Sequence, residues 1–211
     1  MTHHSEPGIT VTGVGHSAAP PDVMTADLGI SVLAANVAKG RALATDRARA
    51  LISSLTDRGV ANDDIQTTHY AIHPEYDHYE GQQRLRGYRV SNDLRVTLRD
   101  LGSAGEMLDA AAEAGGDEVT INNVSFSVED QAEGRDRARE TAWNDAVARA
   151  EHLARLSGRT LGEVMSIIEA TARQPGPGPL PRMAMATADS TPIEAGSTSI
   201  TVTLEVRFAL D

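Results

Sequence analysis

The sequence predicts an α+β protein in which an antiparallel or mixed β-sheet carries helices packed on one face. Three observations support this prediction. Several short stretches alternate between apolar and polar residues, which is typical of half-buried strands. Between them lie longer stretches whose apolar residues recur every three or four positions, as in amphipathic helices. Glycine or proline separates most of these stretches and marks their boundaries.

The first two predicted strands are separated by a proline break. Residues 9–15 alternate with period two, the Pro-Pro-Asp tripeptide at 20–22 interrupts the pattern, and residues 24–32 alternate again. We expect these two strands to pair through the proline turn. An amphipathic helix is predicted over residues 35–58, because its apolar residues keep helical spacing and Gly59 follows as a stop.

A β-hairpin is predicted next. Residues 64–76 form a strand whose Pro74 belongs at a sheet edge or a strand end, because proline cannot donate a ladder hydrogen bond. The polar residues 77–86 are predicted to form a loop at the tip. Residues 88–98 alternate again and complete the hairpin.

A short helix and a strand follow the hairpin. Asp100 is a candidate N-cap for an alanine-rich helix that the glycine pair at 115–116 ends. The apolar residues of the strand at 119–128 change phase at Asn122-Asn123. Burying both sets of apolar residues therefore needs a bulge at that point.

The longest predicted helix begins near Asp130 and ends at Gly158. Asp130 with Glu133 three residues later resembles a capping box. The inner face of this helix is predicted to carry Ala138, Ala142, Ala146, Ala150 and Leu153. A strand over 161–170 follows. The split β-α-β-β-α-β order is thus extended by a further α-β-β once the final strand is counted.

The final predicted strand, residues 199–210, alternates most regularly. If this strand were left unpaired, its free backbone groups would pair with a strand of another chain. It must therefore be covered by a neighbouring strand or used in assembly. Before it, residues 174–192 hold five of the nine prolines and are predicted to form a mobile loop. With a flexible leader at residues 1–8, the expected organisation is a single domain over residues 9–211.

Composition excludes several classes of function. The formal net charge of −11 gives no attraction to nucleic acid or to anionic membrane surfaces. The chain has no cysteine, which excludes disulfides and cysteine metal sites. No cofactor is expected, because the glycines at 13 and 15 precede a strand and not the helix of a dinucleotide fingerprint. Neither a membrane-spanning stretch nor a signal peptide is evident, so the sequence as written predicts a cytoplasmic protein without membrane insertion.

Several short motifs, taken in order, resemble one known family. They are residues 9–15, Pro21-Asp22, Asp64-Ile65-Gln66-Thr67, Ile72-His73-Pro74-Glu75-Tyr76, Gly87-Tyr88, Asn122-Asn123-Val124-Ser125-Phe126, residues 153–158 and residues 192–196. By this order and spacing the chain resembles the SIMPL-domain family of YggE-like and outer-membrane immunogenic proteins. The resemblance implies an α+β domain that oligomerises and is linked to stress responses. It implies no catalytic residue, and it gives the cell envelope or periplasm as the alternative location.

The predicted hairpin holds the densest polar cluster. The candidate residues of this cluster are His69, His73, Glu75, Asp77 and His78. Histidines four residues apart on a strand lie ~13 Å from each other, which is too far to share one ion. Only His73 with Glu75 could therefore hold a metal, and a solvated hairpin end is the simpler interpretation.

The hairpin also gathers the tyrosines of a chain with only 3% aromatic residues, namely Tyr70, Tyr76, Tyr79 and Tyr88. Tyrosine suits interfaces, because its ring buries area while its hydroxyl keeps a polar partner. We therefore expect a non-enzymatic binding or assembly protein that forms a homo-oligomer or contacts a protein partner. The alternative is a metal-dependent module or enzyme that uses the cluster at residues 69–78. Trp143 is expected to pack against the sheet and not to stack on a ligand.

Overall fold

The computed structural model of the protein describes residues 8–79, 81–170, 191 and 193–211. In these residues three α-helices accompany seven strands in two antiparallel sheets, so the predicted α+β class is confirmed. The predicted leader, apart from Gly8, and the predicted loop at 174–192, apart from Thr191, lie outside the described residues.

The elements follow the predicted order. They are β1 (Gly8–Ala19), β2 (Val23–Ala34), α1 (Val37–Thr56), β3 (Ile65–Tyr79), β4 (Gln82–Leu98), α2 (Ala104–Gly115), β5 (Val119–Ser127), α3 (Ala132–Leu156), β6 (Leu161–Ala170) and β7 (Thr198–Leu210). The strands do not form one sheet, however. The chain divides into two compact units, each with a sheet and a core of its own.

The four-stranded unit comprises residues 21–127 and the described part of 182–195. Its strand order is β3-β4-β2-β5, and α1 and α2 contribute to its core. Helix α1 begins where the Asn36 side chain accepts a hydrogen bond from the Lys39 N–H, 2.9 Å away. It ends before Gly59, whose positive φ of 96° is the left-handed stop that the sequence predicts.

The hairpin of this unit is longer than predicted. The expected loop at 77–86 is wrong, because Tyr79 pairs with Gln82 and the strands continue to the tip. Gly81 lies there at φ 77°, a conformation that tight hairpin turns require. Pro74 is confirmed on an edge strand, since β3 is the outermost strand of its sheet.

Two further local predictions concern the middle of β5 and the start of α2. The bulge predicted at Asn122-Asn123 is confirmed, because the pairing of β2 with β5 shifts register there. Asp100 caps a short 3₁₀ turn, Leu101–Ser103, by accepting from the Gly102 N–H at 3.1 Å. Helix α2 itself begins after this turn, at Ala104.

The three-stranded unit comprises the described residues of 1–20, 128–181 and 196–211. Its strand order is β1-β7-β6, so the regular strand β7 is central and both its edges are covered. The expected pairing of β1 with β2 is wrong: β1 pairs with β7 instead, from Gly8 opposite Ala209 to Ala19 opposite Thr198. Prolines at 20 and 21 fix φ near −65°, which is incompatible with the positive φ of a tight hairpin turn.

Helix α3 packs on this sheet through a stripe of small residues. The buried residues of the helix are Gly134, Ala138, Ala142, Ala146, Ala150 and Ala154. Ala154 takes the place predicted for Leu153, which is 44% exposed. Gly13 and Gly15 of β1 face the helix so closely that a Cβ at either position would overlap a helix carbonyl oxygen. The two glycines are therefore packing residues.

A hydrogen bond joins the same two elements. The Asp145 carboxylate on α3 accepts from the backbone N–H of Val14 at 2.9 Å and also pairs with Arg149 at 3.0 Å. The hydrogen bond from Val14, and then Arg149, hold the pKa of Asp145 below its usual range. At the start of the helix, Asp130 accepts from the Ala132 N–H, whereas Glu133 pairs with Arg137 and does not complete a capping box.

Gly13→Ala should destabilise the protein markedly. The new methyl group has no space between β1 and α3, and overpacking of this kind costs about 1–3 kcal/mol or more. Chemical denaturation monitored by circular dichroism measures the change. Thr12→Ala, on the exposed side of the same strand, is the control and should stay within about 0.5 kcal/mol of wild type. Equal stability of Gly13→Ala and wild type would contradict the close packing.

Asp145→Asn should make the free energy of unfolding less dependent on pH below neutrality. A carboxyl group whose pKa is lowered in the folded state stabilises that state above its unfolded pKa of about 3.9, and this contribution disappears as the pH falls through the folded pKa. The side-chain amide introduced by the substitution can still accept from Val14 but does not titrate. Unfolding free energies measured between neutral and acid pH should therefore fall less steeply in the variant, and identical slopes would refute this role.

Candidate functional site

The helix-side face of the β3–β4 hairpin carries an aromatic patch. Residues that pair across an antiparallel ladder share a face of the sheet. The pairs on the face of buried Val90, which packs in the core with α1, are Ile72–Val90, Tyr70–Asn92, Pro74–Tyr88 and Tyr76–Leu85. We call Tyr70, Tyr76, Leu85 and Tyr88 the hairpin patch.

The hairpin patch is substantially open to solvent. Tyr70 is 50% exposed, Tyr76 is 49% exposed and Leu85 is 45% exposed, whereas Tyr88 is half-buried. Tyr76 and Leu85 are direct cross-strand neighbours, and the Pro74–Tyr88 pair is the next pair on that face. Three of the four tyrosines chosen from the sequence therefore share one face. Tyr79, the fourth, is the last residue of β3 and pairs with Gln82.

The opposite face of the hairpin is an ion-pair network. Glu75 accepts from Arg86 Nη1 at 3.1 Å and from Arg89 Nε at 2.5 Å. The hydrogen bond from Arg89 is the main cause that holds the pKa of Glu75 below its usual range. Arg89 also donates to the Ser31 hydroxyl at 3.0 Å, which ties the hairpin to β2. Sequence reasoning missed both arginines, because only the pairing register brings them to Glu75.

A second ion pair extends this polar face towards the middle of the sheet. Arg95 of β4 donates through Nε to Asp27 of β2 at 2.9 Å. This hydrogen bond is the largest cause of the lowered pKa of Asp27, to which Asn123 of β5 adds. The face away from the helices is thus dominated by paired charges, and the apolar surface of the hairpin is concentrated in the hairpin patch.

The candidate metal ligands do not assemble into a chelating cluster. In the described parts of the chain, no group of three or more His, Asp or Glu side chains is placed to hold an ion. His73 lies opposite Arg89, and both carboxylate oxygens of Glu75 accept from guanidinium groups. An incoming cation would have to compete with two arginines for that carboxylate.

The edge strand β6 is a second apolar surface. Val164, Met165, Ile167 and Ile168 are between 39% and 57% exposed. Two register shifts interrupt its pairing with β7, near Val164. Such bulges disfavour addition of another strand at an edge. Sequence reasoning missed this exposure, because alternation alone does not reveal which face a helix covers.

Membrane insertion was not expected from the sequence. Among the residues that the structure describes, none of the helices combines the length and the apolar character needed to cross a bilayer.

Comparisons with known proteins agree on one family. A family model described as SIMPL, protein of unknown function (DUF541), matches residues 9–208. The chain is similar to the uncharacterized protein YggE of Escherichia coli K12, with 32% identity over 91% of this chain and 76% of the relative. It is also similar to YggE of Edwardsiella ictaluri, with 31% identity over 76% of this chain and 67% of the relative. The 26 kDa periplasmic immunogenic protein of Brucella melitensis is 30% identical over 96% of this chain and 84% of the relative.

His73→Ala should leave metal content and stability unchanged. Among the described residues the exposed His73 ring belongs to no group of three possible ligands, so elemental analysis of the purified wild-type protein and of the variant should give the same values. The free energy of unfolding should change by less than about 0.5 kcal/mol. A stoichiometric metal in wild type that the variant lacks would refute this expectation.

Proposed function

Since the chain belongs to the SIMPL family, whose function is unknown, we propose that it is a non-enzymatic binding or assembly protein that self-associates through the hairpin patch. The observation that carries this proposal is the half-exposed trio of Tyr70, Tyr76 and Leu85 on one face of a regular hairpin. Large apolar side chains gathered on a sheet face are typical of interaction surfaces.

The composition of the hairpin patch suits a protein interface. Tyrosine is enriched among residues that contribute most to binding, because a rigid ring loses little conformational entropy when it is buried. The ion pairs of Glu75 with Arg86 and Arg89 brace the hairpin from its other face. The patch is thus presented on a preorganised support, which lowers the entropic cost of association.

We favour association through the side-chain face over addition of a strand to the edge of β3. Pro74 lacks an N–H, and the pairing of β3 shifts register between Thr67 and His69. Both features interrupt the row of backbone groups that an added strand would need. Association that buries the side chains of Tyr70, Tyr76 and Leu85 does not need those backbone groups. A second copy of the chain brings the same patch and can form a two-fold symmetric contact.

We propose the periplasm or cell envelope as the place where the protein acts. The support is the Brucella relative, which is named a periplasmic protein. The comparisons give no support to the cytoplasmic location expected from the sequence. The absence of cysteine makes the fold independent of the redox conditions in either compartment.

The alternative function is a metal-dependent module or enzyme that uses the cluster at residues 69–78. Its support is that His69, His73 and Glu75 lie on one face of β3 by their alternation. A metal or an activity that depends on His73 would establish this alternative.

Replacing Tyr76 and Leu85 together by serine should weaken self-association. Central interface residues of this kind contribute at least about 1 kcal/mol each, so the double variant should dissociate at a concentration more than about tenfold higher. Analytical ultracentrifugation across a concentration series measures the mass, which should fall towards that of the 22.4 kDa chain.

Leu156→Ser is the matched control, because Leu156 is 71% exposed at the end of α3 and lies outside the hairpin. This variant should keep the wild-type association behaviour. A wild-type protein that stays monomeric at every attainable concentration, or a double variant that associates like wild type, would refute the proposal.

A further inference from the structure

A groove lies between α3 and β6 in the three-stranded unit. The small residues of α3 place the helix over β1 and β7: Gly13 and Gly15 of β1 meet its backbone, and a Cβ on Gly134 would overlap Ile200 of β7. Of the helices that the structure describes, none therefore lies directly above the edge strand β6. Its Ile167 pairs with the buried Val206 and so lies on the helix side of the sheet, yet it is 55% exposed.

The groove has an apolar interior and the size of a small-molecule site. Trp143 of α3, Ile167 of β6 and Leu204 of β7 line it, and its volume is about 580 Å³. Pockets for small organic ligands are typically about 300–1,000 Å³ and mainly apolar. Trp143 is the single tryptophan of the sequence, and its ring lies 6.2 Å from that of Phe208, centroid to centroid.

The rim of the groove is negatively charged. Arg139 donates through Nε to Glu169 at 2.9 Å and through Nη1 to Asp136 at 2.6 Å, so carboxylates neutralise its charge from two sides. Glu140 also lines the groove, and within the described residues it makes no ion pair or hydrogen bond. Of the charged residues that line the groove, one guanidinium, that of Arg139, stands against two carboxylates, those of Glu140 and Glu169, which leaves an excess of negative charge beside Trp143.

We propose that this groove binds a small organic ammonium ion with an aromatic or branched aliphatic body. The apolar body packs against Trp143, Ile167 and Leu204, while the ammonium group lies at the rim near Glu140. An indole ring attracts a cation to its face, which adds to the attraction of the carboxylate. An anionic ligand of the same shape is repelled by the rim, and a neutral ligand gains only the apolar contact. This site is separate from the hairpin patch and does not depend on the proposed assembly function.

Three ligands of matched shape test the proposal. Phenethylammonium, 2-phenylethanol and 3-phenylpropionate carry a positive, a neutral and a negative end group on the same phenyl body. Because Trp143 is the only tryptophan, its fluorescence reports directly on the groove, and calorimetry gives the affinities independently. We expect phenethylammonium to bind most tightly and 3-phenylpropionate most weakly. Equal affinities for the ammonium and the alcohol, or no binding of the ammonium, would overturn the proposal.

Substitutions in the groove test whether the ligands bind there. Glu140→Gln should weaken phenethylammonium binding by roughly threefold, as for an exposed ion pair, and leave binding of 2-phenylethanol unchanged. Glu151→Gln, elsewhere on α3, is the matched control and should bind like wild type. Ile167→Ser, at an exposed position that should not affect folding, should weaken both ligands. Retention of full affinity in both Glu140→Gln and Ile167→Ser would overturn the assignment.

Discussion

The close approach of α3 to β1 is the constraint on which the three-stranded unit depends. Gly13 and Gly15 leave no side chain between the strand and the helix, and the alanine stripe of α3 leaves almost none on the other side. Backbone therefore meets backbone, which brings Asp145 within hydrogen-bonding distance of the Val14 N–H. A chain with few aromatic residues can pack densely in this way, because short side chains fill a thin interface without voids.

The same constraint explains where apolar surface remains open. A helix held against β1 and β7 does not cover β6, so Ile167, on the helix side of β6, borders a groove instead of a core. In the four-stranded unit, exposure of the apolar residues changes along one face of the hairpin. Val90, in the body of the sheet, is fully buried, whereas Tyr76 and Leu85, near the tip of the long hairpin, are exposed on the same face. Within the two sheets, the exposed large apolar side chains lie on an edge strand or on its hairpin partner.

The sequence predicted local features well and long-range pairing poorly. Alternation and glycine stops located the strands and helices because these signals depend on neighbouring residues. The gathering of Tyr70, Tyr76 and Tyr88 at one hairpin was predicted because a hairpin brings together residues close in sequence, whereas their shared face follows from the pairing register. The partner of β1 was not predicted: β2 and β7 both alternate, and alternation does not show which of them pairs with the strand whose Gly13 and Gly15 pack against α3. The position of Arg89 beside Glu75 likewise depends on a register shift near the tip of β4.

The pairing of β1 with β7 also bears on how the chain is made. Residues 21–127, which hold all four strands of one sheet, leave the ribosome as a continuous stretch and can pair among themselves at once. Strand β1 is synthesised earlier but has no partner until β7 emerges. During that interval an edge strand with several apolar residues is unprotected. The three-stranded sheet is therefore completed only when synthesis reaches its final strand.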